Sequence, residues 1–271
     1  MPEISIILPS LREKLALETI KEFEITNKDF DYEIVIISPF PVKREKIVHV
    51  FEEKPQGVSI AYNAGYKCSS GKYICWWSDD AFPTKGCLLN MVNFLKTKKP
   101  PFIGAFGIKD KKGIEHPQWK AYGKLYACWG CASRETIEMV GGFFDPIYKC
   151  YFADPDLGLR VWEKGGRVEV CPDAWLISHG LMDKLREDNQ IRYFEKDMNA
   201  FFDRWHDKFG KRIKKDFYIV NRPAFEYEGI IKIFPKFFRP ILIKVSEIIY
   251  SQPKLRSTFL WQILRKIKML Q

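Results

Sequence analysis

Short apolar runs alternate with amphipathic stretches along the first hundred residues of the chain. Runs that are mostly apolar predict buried strands over Ile4–Leu8, Glu33–Ile37, Lys46–Phe51 and Lys72–Trp77. Apolar residues at helical spacing predict helices after Ser10 and Glu13, which have capping-box spacing, and over 58–68 and 84–96. This strand–helix order predicts an α/β fold. Its mostly parallel central sheet would be flanked by helices and would bind ligands at the carboxyl ends of its strands.

The second half of the sequence is less regular. The pattern predicts strands over Phe102–Ile108, Lys124–Ser133 and Arg167–Val170, with a further strand-like segment at Ala174–Ile177. Helices are predicted over 135–140, 157–163 and 183–209, and residues 109–118 read as a polar loop. We therefore expect one domain over 1–228, with a nucleotide-binding half at about 1–105 and an acceptor half at about 106–228.

Basic residues are concentrated near the end of the chain. The chain has 44 Lys and Arg against 34 Asp and Glu, a net charge of +10. Residues 229–271 hold nine of these basic residues and one acidic residue, which leaves 35 against 33 in residues 1–228. The nearly neutral body argues against a nucleic-acid partner. The sequence indicates two helices in this tail, at 241–250 and 254–270. They form a basic amphipathic tail that would bind an anionic membrane surface or pack on the body or a partner subunit.

The sequence shows no apolar run long enough to span a bilayer, and its start lacks the pattern of a signal peptide. A cytoplasmic protein is expected, peripheral at the inner face of the plasma membrane if the tail binds lipid. Seven cysteines in such a chain are expected to be mostly free thiols. The single Cys128-x-x-Cys131 pair within a predicted strand is weak evidence for zinc.

Acidic residues follow the predicted strands at two places. Asp79 and Asp80 come directly after the Lys72–Trp77 strand, where they would bind a divalent cation with substrate phosphates or merely cap the next helix. Asp154 precedes Pro155, a pair that fits either a helix N-cap or a general base. His179 follows the strand-like segment and is either structural or a metal ligand.

Six blocks, in this order and spacing, resemble the inverting glycosyltransferases of family 2, which have the GT-A fold. The blocks are Ile4–Ser10, Gly57–Gly65, Ser69–Pro83, Val140–Asp145, Tyr151–Arg160 and Ile177–Gly180. The resemblance covers about residues 3–210. It implies transfer of a sugar from a nucleotide-diphosphate donor, with UDP favoured, to a carbohydrate or lipid-linked acceptor, as in surface polysaccharide or glycolipid assembly.

The resemblance also implies roles for single residues. Asp154 would be the catalytic base, and Asp80 with His179 would hold Mn²⁺ or Mg²⁺ on the donor diphosphate. Trp129 and Asp156 would border the donor sugar and the acceptor. The nucleotide would contact Pro9, Ser10, Ser38, Asn63, Ser78, Asp79 and Asp80.

The sequence departs from the family pattern at several of these positions. Ser38 stands where the family often has an aspartate that contacts the base, and Ala153 replaces the glutamate of a Glu-Asp pair. Ser78 replaces the first acid of the family's DxD motif, and Tyr62 an arginine. A non-catalytic protein that binds sugar nucleotides therefore stays open as an alternative. A nucleotidyltransferase would need a glycine-rich triphosphate loop, which is not seen near the first strand.

Overall fold

The computed structural model describes residues 1–224 of the chain, with side chains for residues 1–222. The predicted tail at 229–271, including both of its helices, lies outside the described residues. The strands are β1 Ile4–Pro9, β2 Tyr32–Ser38, β3 Ile47–Phe51, β4 Tyr73–Trp76, β5 Ala81–Pro83, β6 Phe102–Lys109, β7 Glu115–His116, β8 Gln118–Ala121, β9 Lys124–Tyr126, β10 Gly130–Ser133, β11 Arg167–Ser178 and β12 Asn221–Ala224. The helices are α1 Glu13–Thr26, α2 Val58–Cys68, α3 Cys87–Lys96, α4 Arg134–Met139, α5 Ala153–Glu163, α6 Lys184–Phe209 and α7 Phe217–Val220.

Nine of the described strands form one sheet in the order β3-β2-β1-β4-β10-β6-β11-β5, with β7 paired to β6. The four strands from β3 to β4 are parallel. Strand β10 runs antiparallel to both of its neighbours, β4 and β6. The predicted α/β fold with helices flanking a central sheet is confirmed, and its sheet is parallel on one side and mixed on the other. Strands β12, β8 and β9 form a second, smaller sheet.

Helices and loops cover both faces of the main sheet. Successive residues of β1 belong to different cores: Ile6 packs in one buried cluster and Ile7 in the other. Strand side chains point alternately to the two faces, so an unbroken apolar run such as β1 is the sequence of a strand buried on both sides. All of β4 is buried, including its last residue Trp76, and so is Trp77, which follows it. This burial fixes the place where the chain emerges at the carboxyl edge of the sheet.

Several predicted boundaries were wrong. Ser10 does not cap α1, because its N-cap is Arg12, whose side chain makes no capping bond, and the Ser10 hydroxyl bonds elsewhere. The predicted strand 124–133 is two strands, since the chain leaves the small sheet at Tyr126 and enters the main sheet at Gly130. Residues 167–178 form one strand with an irregularity in its pairing between Val170 and Trp175.

Helix α5 begins at Ala153, earlier than the predicted start at 157, and its N-cap is Phe152. The predicted helix over 183–209 is confirmed as α6, which Asp183 caps by accepting from the Arg186 N–H. No helix within residues 1–224 has both the length and the apolar character needed to cross a bilayer.

Candidate active site

A cavity of about 640 Å³ opens at the carboxyl ends of the parallel strands. One wall is formed by the segments that follow β1, β3 and β4. The opposite wall is formed by the start of α5, by one face of α6 and by the loop before β10. Parallel α/β sheets bind ligands at this edge, because the chain reverses direction there and leaves a crevice. The predicted site residues that line the cavity are Pro9, Ser10, Ser78, Asp79, Asp80, Trp129 and Asp154.

Asp79 is buried and fully engaged by the protein. Its carboxylate accepts from the Ser10 hydroxyl at 2.5 Å and from the Arg12 guanidinium at 3.0 Å. Burial raises the pKa of Asp79 above its ordinary value, and these two partners partly offset the shift. Asp79 therefore anchors the turn after β4 to the loop after β1, and both of its oxygens are occupied.

Asp80 is held by a chain of two hydrogen bonds from the opposite wall. The indole N–H of Trp129 donates to the Ser78 hydroxyl at 2.8 Å, and that hydroxyl donates to Asp80 Oδ1 at 2.6 Å. A serine in place of the first acid of the motif thus orients the carboxylate that follows it. Trp129 contributes its polar edge to this chain as well as lining the cavity.

His179 lies next to Asp80, although 99 positions separate them in the sequence. Pairing of β11 with β5 brings them together. The backbone N–H of His179 donates to the backbone carbonyl of Asp80 at 2.8 Å. The His179 ring packs on Phe82 with centroids 4.1 Å apart. Burial lowers the pKa of His179, with a further contribution from Lys111, so its imidazole is neutral near pH 7. Neutral imidazole is the form that binds metal ions.

The donor set fits a cation that arrives with phosphate ligands. The described residues contain no group of three or more His, Cys, Asp or Glu side chains able to hold a metal by themselves. Asp80 lines the cavity, whereas His179 lies between the lining residues Ser178 and Gly180 and is joined to Asp80 through its backbone. Mg²⁺ and Mn²⁺ commonly take one or two protein ligands and complete their shell with water and substrate phosphates. Two such ligands would therefore suit a metal–diphosphate complex better than a resident metal.

Asp154 projects from the first turn of α5 into the cavity. Phe152, the N-cap of α5 two residues before Asp154, is in the left-handed region, with φ of 67°, which only strong local packing sustains in a bulky residue. The Cys128 thiol hydrogen-bonds the Asp154 carboxylate, but desolvation dominates and raises its pKa to about 7. A carboxyl group with this pKa is suited to accept a proton at neutral pH.

The start of α5 is fixed from α6 through Asp197. This buried carboxylate accepts the backbone N–H groups of Lys149, Cys150 and Tyr151 at 3.0, 2.8 and 2.9 Å. Three amides converging on one carboxylate hold the loop before α5 in a single shape. Asp197 gave no sequence signal, because it lies within a long polar helix and its partners are backbone groups 46 to 48 positions away.

Asp156 does not line the cavity, so the prediction that it borders the sugar does not fit its position. Its side chain is fully buried and forms an ion pair with Arg160 at 2.8 Å. Arg204, Tyr148 and Trp205 also contact its carboxylate. Two positions along a helix are about half a turn, so the two side chains point to opposite faces: Asp154 faces the cavity, and Asp156 faces the core between α5 and α6.

Besides His179, the predicted residues Ser38 and Asn63 also lie outside the cavity lining. The Ser38 hydroxyl donates to the Phe40 carbonyl at 2.8 Å and is buried in its own loop. The Asn63 side-chain amide donates to the Phe144 backbone carbonyl at 2.6 Å, and the Asn63 side-chain carbonyl accepts from the Phe144 backbone N–H at 3.2 Å. Their short side chains are used to hold loops, which leaves none of their polar atoms to reach a nucleotide.

The structure adds cavity residues that the sequence analysis did not identify. The Arg12 guanidinium bonds Asp183 as well as Asp79, so it links the loop after β1 to the start of α6. On α6, Arg186, Asn189 and Tyr193 line the cavity from one helix face. Their spacing of three and four positions is the sequence signal that a helix would present them together.

A family model described as glycosyl transferase family 2 matches residues 5–144, just over half of the chain. The chain belongs to glycosyl transferase family 2. The match includes the turn after β4, with Asp80. It ends before Asp154 and His179, so the roles of these two residues rest on the geometry and on the resemblance. Comparison with curated proteins gave no match.

Solved structures similar to this family 2 domain are glycosyltransferases. GalNAc-T7 with UDP, GalNAc and Mn²⁺ has a TM-score of 0.58 and 12% identity over 80% of this chain and 52% of its own, so the present chain spans about half of it. The mannosyltransferase PcManGT of Pyrobaculum calidifontis, with GDP-Man and Mn²⁺, has a TM-score of 0.54 and 14% identity over 97% and 72%. Residues 1–349 of S. aureus TarS have a TM-score of 0.52 and 12% identity, with 98% of this chain and 86% of that chain covered. At these identities the likeness shows the GT-A fold.

Proposed function

We propose that this chain is an inverting, metal-dependent glycosyltransferase. It would move a hexosyl or related sugar from a nucleotide-diphosphate donor, with UDP favoured, to the hydroxyl of an acceptor. The observation that carries the proposal is that a single cavity joins the Ser78–Asp80 turn to Asp154 on the opposite wall. One site for the donor phosphates and one proton acceptor across the crevice are what a direct displacement requires.

Asp154 would act as the general base. As the acceptor oxygen bonds to the anomeric carbon, the hydroxyl proton passes to the Asp154 carboxylate, and the bond from that carbon to the diphosphate oxygen breaks. Attack from the face opposite the leaving group inverts the anomeric centre. The raised pKa of Asp154 supports this role, because a carboxylate with a pKa of about 7 is a stronger base than an ordinary one and is still about half ionised at neutral pH.

Asp80 and His179 would hold Mn²⁺ or Mg²⁺ at the donor diphosphate, and the ion would neutralise the charge that develops on the leaving group. Ser78, in the same turn as Asp80, and Trp129, which bonds Ser78, orient the Asp80 carboxylate. Positioning of the groups before the reaction is a large part of the catalytic effect in such sites. Mn²⁺ in two of the similar structures supports a divalent cation here.

The acceptor is proposed to be a carbohydrate or a lipid-linked molecule, as in surface polysaccharide or glycolipid assembly. An aromatic wall supports a sugar acceptor, because flat rings pack well against the apolar faces of pyranoses. The wall comprises Trp119, Tyr126, Tyr193, Phe194 and Phe217. The basic composition of residues 229–271 supports peripheral docking on an anionic membrane.

The replacement Asp154→Asn tests the proposal, because it keeps the shape of the side chain and removes the base. A thermal-shift panel of nucleotide sugars with Mn²⁺ first identifies the donor, since a bound donor stabilises the protein. We expect Asp154→Asn to lower sugar transfer or donor hydrolysis by about 10²–10⁴-fold while nucleotide binding is kept. Asp203→Asn, on an exposed side chain of α6, is the matched control and should keep full activity.

Two results would contradict the proposal. Full transfer activity in Asp154→Asn would remove Asp154 from the reaction. A wild-type protein that binds nucleotide but turns over none of the donors would instead be the non-catalytic binding protein that the Ser38 and Ala153 departures suggest.

A further inference from the structure

One carboxylate of the cavity has no role in the proposed reaction. Glu52 follows β3 directly and lines the cavity at the end farthest from Asp80. The strand order β3-β2-β1-β4 places three inter-strand steps between the two residues, about 14 Å at about 4.8 Å per step. Pro9 and Ser10 at the end of β1 lie between them. A nucleotide whose phosphates lie at Asp80 would therefore extend its base toward Glu52.

The backbone of Glu52 is fixed and its carboxylate is available. Its N–H donates to the Ser38 carbonyl at 3.0 Å, which ties the end of β3 to the end of β2. Glu52 Oε1 accepts only a long bond of 3.5 Å from the Gln56 N–H, and Glu52 forms no ion pair with the described residues. Partial burial raises the pKa of Glu52 above its ordinary value. A half-buried carboxylate without a cation gains from a bound N–H donor.

The other acidic side chains of the cavity are not available at this end. Asp79 already accepts on both oxygens, from Ser10 and Arg12, and Asp80 and Asp154 face the region where sugar transfer is proposed. Ser38, at the position where the family often has an aspartate, is turned into its own loop. Glu52 reaches the cavity from the next strand of the sheet. The backbone bond between Glu52 and Ser38 thus places a carboxylate beside the position where the sequence lacks one.

A carboxylate accepts hydrogen bonds and cannot donate them. Uracil presents a ring N–H between two carbonyls, and guanine presents a ring N–H beside an amino group. Cytosine and adenine present an unprotonated ring nitrogen at the corresponding edge, whose lone pair repels a carboxylate, and can offer it only the N–H of the adjacent amino group. Pro9, Leu11 and Pro55 line the cavity and offer apolar surface to the faces of a base.

We propose that Glu52 recognises the base of the donor and selects nucleotides whose base carries a ring N–H next to a carbonyl, the uracil and guanine class. This inference rests on the proposed use of a nucleotide donor. It names Glu52 as the residue that discriminates between donors.

The test is calorimetric binding of UDP, GDP, CDP and ADP to the full chain in the presence of Mn²⁺. We expect either UDP or GDP to bind the wild-type protein at least about tenfold more tightly than CDP and ADP, the factor given by one hydrogen bond to a charged group. In Glu52→Gln that preference should fall below about threefold, since an amide both donates and accepts. The neighbouring, exposed Glu53 gives the matched control, Glu53→Gln, which should keep the preference.

Wild-type protein that binds CDP or ADP as tightly as UDP and GDP overturns the inference. So does unchanged preference in Glu52→Gln, or no binding of any of the four nucleotides at millimolar concentration. Thermal melting of both variants establishes that they are folded. Selective binding by Glu52 together with no sugar transfer would refute the proposed enzyme and leave the base recognition intact, so the two failures are distinguishable.

Discussion

At the residue scale, Asp154 shows how position changes the chemistry of a side chain. Asp154 and Asp156 are two positions apart in the same first turn of α5, yet their surroundings differ completely. Asp156 has Arg160 and Arg204 beside it and stays an ion-paired core residue. Asp154 has no cation partner among the described residues, and desolvation raises its pKa from 3.8 to about 7. The absence of a counter-charge is what would suit Asp154 to the proposed role of proton acceptor.

The raised pKa of Asp154 predicts the pH dependence of the reaction. A general base must be ionised, so kcat/KM should rise with pH along one protonation step with a midpoint near pH 7 and then level off. Initial rates at low donor concentration between pH 5 and 9 measure this profile. A midpoint near pH 4 would mean that Asp154 is solvated in solution, which would contradict the environment described above.

The same shift has a consequence of opposite sign for stability. The folded state keeps a proton on Asp154 that the unfolded chain loses above about pH 4, so stability falls between about pH 4 and pH 7. In Asp154→Asn this fall is absent. The gain in melting temperature of the variant over the wild type should therefore be larger at pH 8 than at pH 5.

At the element scale, α6 acts as the support for the site. Its N-terminal half lines the cavity, and its middle holds the loop before α5 through Asp197. The start of α6 is joined to the loop after β1, because Arg12 forms two bonds with the capping residue Asp183. That contact lowers the pKa of Asp183 to about 2, so it persists at any pH where the protein would be active. One helix thus connects both walls of the cavity.

Replacement of Asp197 tests this supporting role. Asp197→Asn leaves an amide group facing three backbone N–H donors, and we expect a loss of about 2 kcal/mol or more in the free energy of unfolding. Transfer activity should fall through kcat, because the start of α5 is loosened, while nucleotide affinity is nearly unchanged. Urea unfolding and steady-state kinetics measure the two effects. Glu195→Gln, exposed on the same helix, should change neither, and a loss confined to nucleotide affinity would contradict the support role.

At the scale of the whole molecule, the site belongs to the sheet and to no single half of the chain. The proposed division at about residue 105 falls within β6, whose neighbours β10 and β11 come from the second half. Asp80 comes from the first half, and His179 and Asp154 come from the second. Alignment of the two halves is therefore set by backbone pairing in one continuous sheet.

The basic tail, residues 229–271, is proposed to bring the whole molecule to a membrane, and its removal tests that proposal. We expect the full chain to sediment with vesicles containing anionic lipid and to be released as salt rises, because screening weakens attraction between charges. A chain ending at residue 228 should stay in the supernatant and keep transfer to a soluble acceptor. Equal sedimentation of both chains would show that the tail does not dock the protein on membranes.

Features that depend on neighbouring residues could be predicted from the sequence, and features that depend on contacts between distant residues could not. The β1 and β4 strands and the Ser78–Asp80 turn could be predicted, because they depend on local runs of apolar residues followed by polar ones. The start of α5 could not, since Phe152 adopts its conformation only under packing from the rest of the fold. The prediction for Ser10 failed because α1 begins only after Arg12: the Ser10 hydroxyl accepts from the Arg12 N–H and donates to Asp79, 69 positions away.

The sequence by itself determined the alternation of strands and helices, the placement of acids after β4 and the concentration of basic charge after residue 228, because each is a pattern among neighbouring residues. Tertiary structure alone decided which acidic side chains of the chain face the cavity. Strand pairing brings His179 to Asp80, and the rotation of α5 separates Asp154 from Asp156. The edge of the sheet places Glu52 beside Ser38, whose hydroxyl is bonded within its own loop. These outcomes depend on contacts between residues far apart in the chain, where burial and charge are fixed only once the chain has folded.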